Sequence, residues 1–197
     1  FSVSESISGY LVSGYALAVA FGAIALTAAF SRVERKKVLL GLVILFIAGN
    51  LVSALAPTYL VILIGRIIAA LCHGGFFGVG AVVAANMVED KKKAGALMFA
   101  GLTVANVVGI PFGTFIGQQF GWRSTFWVIT ALGIVTFLGI QFLVQSSPAP
   151  KTAGLRSELG VLRRPQVLLS ATVSILTFGG LVGAYTYIAF TLTEVSG

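Results

Sequence analysis

The run Tyr59-LVILIG-Arg66-IIAAL-Cys72-His73-GGF-Phe77-GVGAVVA-Ala85 decides the fold. It passes 27 residues with a single charged side chain, Arg66. A helix needs about 20 apolar residues to cross a hydrocarbon core, so this run is long enough. A barrel strand would be about ten residues long and would alternate polar with apolar side chains. The run does neither, which leaves a membrane-spanning helix.

Five further runs of the same kind flank it, at Ile7–Phe30, Val38–Ala56, Ala94–Gly117, Trp122–Val144 and Val167–Leu192. The sequence therefore predicts an all-α integral membrane protein, a bundle of about six transmembrane helices. Composition agrees: 57% of the 197 residues are hydrophobic, 10% are charged, and the mean hydropathy is +1.01. A soluble domain is nearer half apolar and about a quarter charged. A soluble fold could not hide this much apolar surface, and a bilayer removes the need.

The net charge of +7 raises the question of nucleic acid, and the placement of the charges answers it. Eleven of the 13 Lys and Arg fall in three short polar segments: Arg32 to Lys37, Lys91 to Lys93, and Lys151 to Arg164. A nucleic-acid surface would be one contiguous basic face, whereas these charges punctuate apolar runs. Read as topology signals, they place the three segments in the cytoplasm and both chain ends outside. Trp122, Trp127 and Tyr59 fall near span ends, where amphipathic rings favour the interface. Cys72 stands alone and reads as a small buried hydrophobe.

Residues 146–166, with Pro148, Pro150, Gly154 and Pro165, read as a cytoplasmic linker. Its middle, Leu155–Leu162, is expected to form a short amphipathic surface helix. Residues 1–145 would then be most of an N-terminal bundle with five spans, and 167–197 the first span of a second bundle. Small residues recur every four positions in several runs: Gly101, Ala105, Gly109, Gly113 and Gly117; Gly14, Ala18 and Gly22; Gly74 and Gly78. Each series makes a smooth helix face on which another backbone can close in. Pro111 removes a backbone donor, so a kink is expected there.

Three elements then resemble one family. The loop Thr27-Ala-Ala-Phe-Ser31-Arg32-Val-Glu34-Arg35-Lys36 is similar to the G-x-x-x-D-R-x-G-R-K loop of major facilitator superfamily transporters. Arg66 in Leu63-Ile-Gly-Arg66-Ile-Ile-Ala-Ala70 resembles that family's fourth-span arginine motif. Gly109-Ile-Pro111-Phe-Gly113-Thr resembles the fifth-span motif of its drug:proton antiporters, and Gly121-Trp122-Arg123 continues the match. Together these cover nearly the whole chain and look like the drug and sugar efflux subgroup. The sequence departs from the pattern at Ser31 (Asp in the family), at Thr27 and Glu34 (Gly), and at Ala105 (the first Gly of the fifth-span motif).

The resemblance implies a partial major facilitator fold in the inner membrane, covering about the second to seventh spans of a longer, monomeric transporter. It implies proton-coupled export of drug-like small molecules by alternating access, with the lipid bilayer, a small molecule and the proton as partners and no cofactor beyond the proton gradient. Transport of sugars or other metabolites is the same-fold alternative, and a non-transporting scaffold or channel subunit the different-class one. In the resembled antiporters the fifth-span bend seals one end of the bundle, a role that falls on Ala105, Gly109, Pro111 and Gly113. No G-x-S-x-G, H-E-x-x-H or G-x-x-x-x-G-K-[ST] pattern marks the chain as an enzyme or ATPase.

Arg66 is expected to work in proton coupling or anion attraction, or else to serve as a polar clasp between helices. Mid-membrane arginine costs about 2.5–3.5 kcal/mol on insertion scales and normally has a partner. His73 lies on the same helix stripe as Arg66, Ala70 and Phe77. The six acids Glu5, Glu34, Glu89, Asp90, Glu158 and Glu194 all lie in loops or at ends. The titratable group of an antiporter is therefore either His73 or a residue of spans outside this sequence, and His73 reads equally as an interhelical hydrogen-bonding group. Phe77, Thr103, Asn106, Tyr185 and Tyr187 are candidates to line a substrate cavity. The topology is directly testable. With Cys72 removed, single cysteines at Lys92 and Ser157 are expected to label only from the cytoplasmic side and one at Gly197 only from outside; mixed access at any of them contradicts six spans.

Overall fold

The computed structural model describes residues 5–30, 33–88, 90–146 and 164–190. It holds α1 (Glu5–Ala29), α2 (Arg35–Ala54), α3 (Tyr59–Met87), α4 (Lys91–Phe120), α5 (Trp122–Leu143) and α6 (Pro165–Phe190), and no strand among the described residues. Helices α2 to α5 are each long and apolar enough to cross a membrane. In α1 and α6 the described apolar stretches are Tyr10–Leu26 and Pro165–Leu181. The chain divides into two compact units, Phe1–Lys151 and Thr152–Gly197. The first holds α1 to α5 and the second α6.

Two basic segments differ from expectation. Arg35 to Lys37 and Lys91 to Lys93 were placed in loops by their charge, but they form the first turns of α2 and α4. Cations oppose the helix dipole there, and acids at the caps offset them. Asp90 accepts from the backbone N–H groups of Lys92 at 2.9 Å and Lys93 at 3.4 Å. Glu34 pairs with Lys37 at 3.1 Å. Both basic turns lie before long apolar helices and define what we call the basic end of the bundle. At the opposite end, Gly121 separates α4 from α5 with a φ of 85°, a conformation that an L side chain adopts only with strain.

The first unit is held together through α3. Matching contacts of Gly14 with Leu63 and Gly22 with Leu71 show α1 and α3 running in parallel. A Cβ on Gly22 would lie 2.7 Å from Leu71 Cα, and one on Gly74 would lie 2.8 Å from the Val19 carbonyl oxygen. On its other side α3 meets α2, where a Cβ on Gly65 would stand 2.7 Å from the Gly49 carbonyl oxygen and 2.9 Å from Ser53 N. Helix α5 packs on α2, with Gly133 against Ile47 and Phe46. Buried Val38, Leu42 and Cys72, and next to them Leu39, Val43 and Ile140, fill the space between α2, α3 and α5.

The α4 glycine series meets little within the first unit. A Cβ on Gly101 or Gly109 would meet nothing within 4 Å, and one on Gly113 only Thr125 at 3.9 Å. Among the described residues the series meets a neighbour only toward its end, at Gly113 and at Gly117, where a Cβ would lie 3.3 Å from the Thr125 hydroxyl oxygen. The tight seams use Gly49, Gly65 and Gly133, which lie outside every four-residue series, together with Gly22 and Gly74, which belong to the shorter series of α1 and α3. Four-residue spacing marks a smooth face but cannot say which face meets a neighbour. Helix α4 also runs unbroken through Pro111.

Overpacking a close contact costs about 1–3 kcal/mol, more where backbone itself must move. In the complete protein carrying this sequence, Gly65→Leu is expected to cut detergent-extractable, monodisperse protein several-fold, whereas Gly109→Leu reaches the membrane at wild-type abundance. Size-exclusion profiles after extraction measure both.

Candidate functional site

The parallel crossing of α1 and α3 brings Tyr15 level with Arg66. Gly22 fixes the register against Leu71, and seven residues earlier on the same α1 stripe stands Tyr15. The Arg66 guanidinium lies over the Tyr15 ring, with Cζ 4.3 Å from the centroid. The Tyr15 hydroxyl is 3.1 Å from His73 Nδ1. The two rings meet edge to face, 6.0 Å between centroids. His73 in turn stacks on Phe77 at 5.2 Å. Arg66 and His73 are seven residues apart, about 10 Å along the helix, and Tyr15 touches both.

This answers what partners the mid-span arginine. Among the described residues no carboxylate reaches Arg66, and an aromatic face does instead. Such a contact contributes about 0.5–2 kcal/mol, the upper end when water is excluded. The sequence reading placed Arg66, His73 and Phe77 on one stripe, and the structure brings all three together. It missed Tyr15, whose only signal was its place one position beyond Gly14 on a helix rich in small residues.

His73 and Phe77 also face a cavity of about 330 Å³ between α2, α3 and α5. Its other walls include Phe46, Phe76, Ile129 and Thr136. Cys72 and Thr136 turn their polar atoms inward to their own helices, donating to Ala69 O at 2.8 Å and Leu132 O at 2.9 Å. His73 is therefore the lining side chain whose hydrogen bond leaves its own helix. Among the described residues no three His, Cys, Asp or Glu side chains gather to hold a metal ion.

Other candidates lie apart. Thr103 is exposed on α4 and donates to Phe99 O at 2.9 Å, and Asn106 is exposed on the same helix. Neither lines this cavity. Both sit on an exposed stretch of α4, which polarity alone did not reveal. Ala105, Gly109 and Pro111 share that exposed region, and Gly113 O accepts from the Thr125 hydroxyl at 3.4 Å. The side chains of Tyr185 and Tyr187, and all of Ser31 and Arg32, lie outside the described residues. Of the loop motif, Lys36 donates to Gln141 O at 2.8 Å, tying α2 to the end of α5. Arg35 and Lys36 line a recess of about 180 Å³ with Asn86 and Gln145. At the opposite end Arg123 donates to Ala56 O at 2.8 Å and stacks over Trp122.

A family model described as Major Facilitator Superfamily matches residues 1–197. An uncharacterized MFS-type transporter of Bacillus subtilis (strain 168), YtbD, is 44% identical over 99% of this chain and 50% of its own length. A chloramphenicol resistance protein of Streptomyces lividans is 32% identical over 99% of this chain and 51% of its own. A probable sugar efflux transporter of Mannheimia succiniciproducens is 33% identical over 95% of this chain and 48% of its own. The chain spans about half the length of the curated relatives it matches.

At the basic end, a hydrogen bond from Ser146 and then the Lys37 ammonium hold the Glu34 carboxyl below the ordinary value of 4.5. A depressed carboxylate contributes stability above its unfolded pKa and loses it as pH falls through the folded one. The melting temperature of the complete protein is therefore expected to fall below about pH 4.5, with Glu34→Gln flattening that acid limb. Thermal unfolding across pH 3–7 measures the difference.

Proposed function

This chain belongs to the Major Facilitator Superfamily, and on that premise we propose that the complete protein is a secondary transporter exporting drug-like small molecules in exchange for protons. The observation that carries this reading is the double membership of His73. It lines the apolar cavity and also contacts Tyr15, whose ring holds Arg66. A titratable imidazole thus stands between a small-molecule space and a membrane-buried cation. In such an arrangement the proton state of one group changes the electrostatics that a ligand meets.

The chemistry of the cavity supports a moderately apolar substrate. Aromatic and aliphatic walls with few free polar groups suit such a ligand. A sugar needs several hydrogen-bonding partners, and here Cys72 and Thr136 spend theirs within their own helices. Sugar export nevertheless stands as the second reading, because one relative is named a probable sugar efflux transporter. We place the basic end in the cytoplasm, following the usual excess of Lys and Arg there, so α1 and α3 run inward. Two bundles rocking about a midplane site would give alternating access. The open Gly109–Gly113 face of α4 then offers a smooth surface for that movement.

The test is proton-gradient-driven flux by the complete protein in proteoliposomes, followed by resistance profiling to find the substrate. Arg66→Lys is expected to insert normally and lose about tenfold of the flux, since Lys lacks the planar guanidinium that lies on an aromatic face. Arg66→Ala is expected to insert at least as well and to lose more. Normal flux at normal abundance in either variant means that Arg66 is only a structural clasp.

A further inference from the structure

We propose that Tyr15 is the positioning residue that links His73 to Arg66, so that protonation of His73 alters, through one side chain, the contact that holds the guanidinium. The proposal rests on the reading of Arg66 and His73 as the coupling pair. It starts from which imidazole nitrogen Tyr15 occupies. The contact is to Nδ1, at 3.1 Å. A phenol is a better donor than a neutral imidazole N–H, so the hydroxyl donates and Nδ1 accepts. In neutral imidazole one nitrogen carries hydrogen and the other does not, which puts the ring hydrogen on Nε2. The incoming proton must then arrive at Nδ1, the atom Tyr15 already holds.

Protonation cannot leave that contact as it is. Both nitrogens of the cationic ring are donors, so the Tyr15 hydroxyl must turn to accept, or leave. No covalent bond other than N–H forms, and the same proton departs from Nδ1 when the ring returns to neutral. The new charge also appears beside the ring that carries Arg66, with 6.0 Å between the Tyr15 and His73 centroids and Arg66 Cζ 4.3 Å from the first of them. Arg66 and His73 lie about 10 Å apart along α3, a separation at which two like charges still repel wherever the effective dielectric is below that of water.

Few other charged groups face this cluster. Helix α1 presents Tyr15 and carries its other ionisable side chains, Glu5 and Tyr10, nearer its start, while α5 carries only Arg123, in its first turn. Helix α2 carries ionisable side chains only at Arg35, Lys36 and Lys37, and α4 only at Lys91, Lys92 and Lys93, all in first turns at the basic end. Helix α3 itself adds Cys72, whose thiol donates to Ala69 O. The backbone position of Tyr15 is fixed by the Gly22–Leu71 and Gly74–Val19 contacts, so the response falls on side chains rather than on a sliding helix.

The experiment compares Tyr15→Phe, His73→Gln and wild type in the complete transporter, reading gradient-driven export against pH and substrate exchange without a gradient. Tyr15→Phe keeps the ring under Arg66 and removes only the hydroxyl. It is expected to keep wild-type abundance and exchange, to lose about tenfold of gradient-driven export, and to move the pH of half-maximal export by about half a unit or more, the scale of one hydrogen bond. Wild-type gradient-driven export in His73→Gln removes the coupling pair and this proposal with it. Loss of that export in His73→Gln with a wild-type pH profile in Tyr15→Phe overturns the Tyr15 role alone and leaves the function standing. Low abundance of Tyr15→Phe, or equal loss of exchange and export, makes Tyr15 a packing residue and also overturns the role.

Discussion

Between Gly49 and Gly65 the backbones of α2 and α3 approach so closely that a methyl group on Gly65 would stand 2.7 Å from the Gly49 carbonyl oxygen, and the arrangement of the first unit depends on that contact and its counterparts on α1. Lipid tails are as apolar as Leu, so helices in a bilayer gain nothing by hiding side chains from water. They associate by close contact and by hydrogen bonds. Glycine allows the closest contact. Helix α3 has it on two sides, against α1 at Gly22 and Gly74 and against α2 at Gly49 and Gly65. The hydroxyl-bearing residues at the second seam keep their polarity within the helix, as Ser53 does by donating to Gly49 O at 2.9 Å.

The polar cluster follows from the first of these seams. With α1 and α3 parallel and their register set near Gly22, Tyr15 has little choice of neighbours. Its ring supports Arg66 and its hydroxyl meets His73. The arrangement offsets part of the insertion cost of the arginine without placing an opposite charge beside it, since a cation–π contact of about 0.5–2 kcal/mol is smaller than the roughly 2.5–3.5 kcal/mol insertion cost. His73 lines the cavity, and Tyr15 links it to Arg66.

Helix α4 behaves differently. Its described residues from 99 to 112 are exposed throughout, and its glycines at 101 and 109 face open space. It meets α5 through Gly121 and through Thr125 at Gly113 and Gly117, and meets α3 nearer the basic end, where Gly80 faces Met98 and Ala94 is buried. A smooth, lightly held helix beside a tightly seated one is a physical basis for relative movement. At the basic end, Lys36 and Glu34 make short local contacts that fasten α2 to the end of α5 and to its own first turn.

The sequence by itself determined the membrane-helix class, five helices close to their expected limits in the first unit, and the family, because span length and hydropathy are local properties and the motifs are linear. It also placed Arg66, His73 and Phe77 on one stripe, since helical periodicity alone decides that. It marked the α4 glycine series as a smooth face, which the first unit leaves largely open, and overlooked Gly49, Gly65 and Gly133, because a helix face looks the same in sequence whether a neighbour lies against it or not. Its loop assignment of Arg35 to Lys37 and Lys91 to Lys93 failed for a related reason: charge marks the membrane boundary, while the helix continues past it under the acid caps. Tyr15 was decided by tertiary structure alone. It lies 51 positions before Arg66 and 58 before His73, and only the register of two parallel helices closed on glycine brings the three side chains within contact.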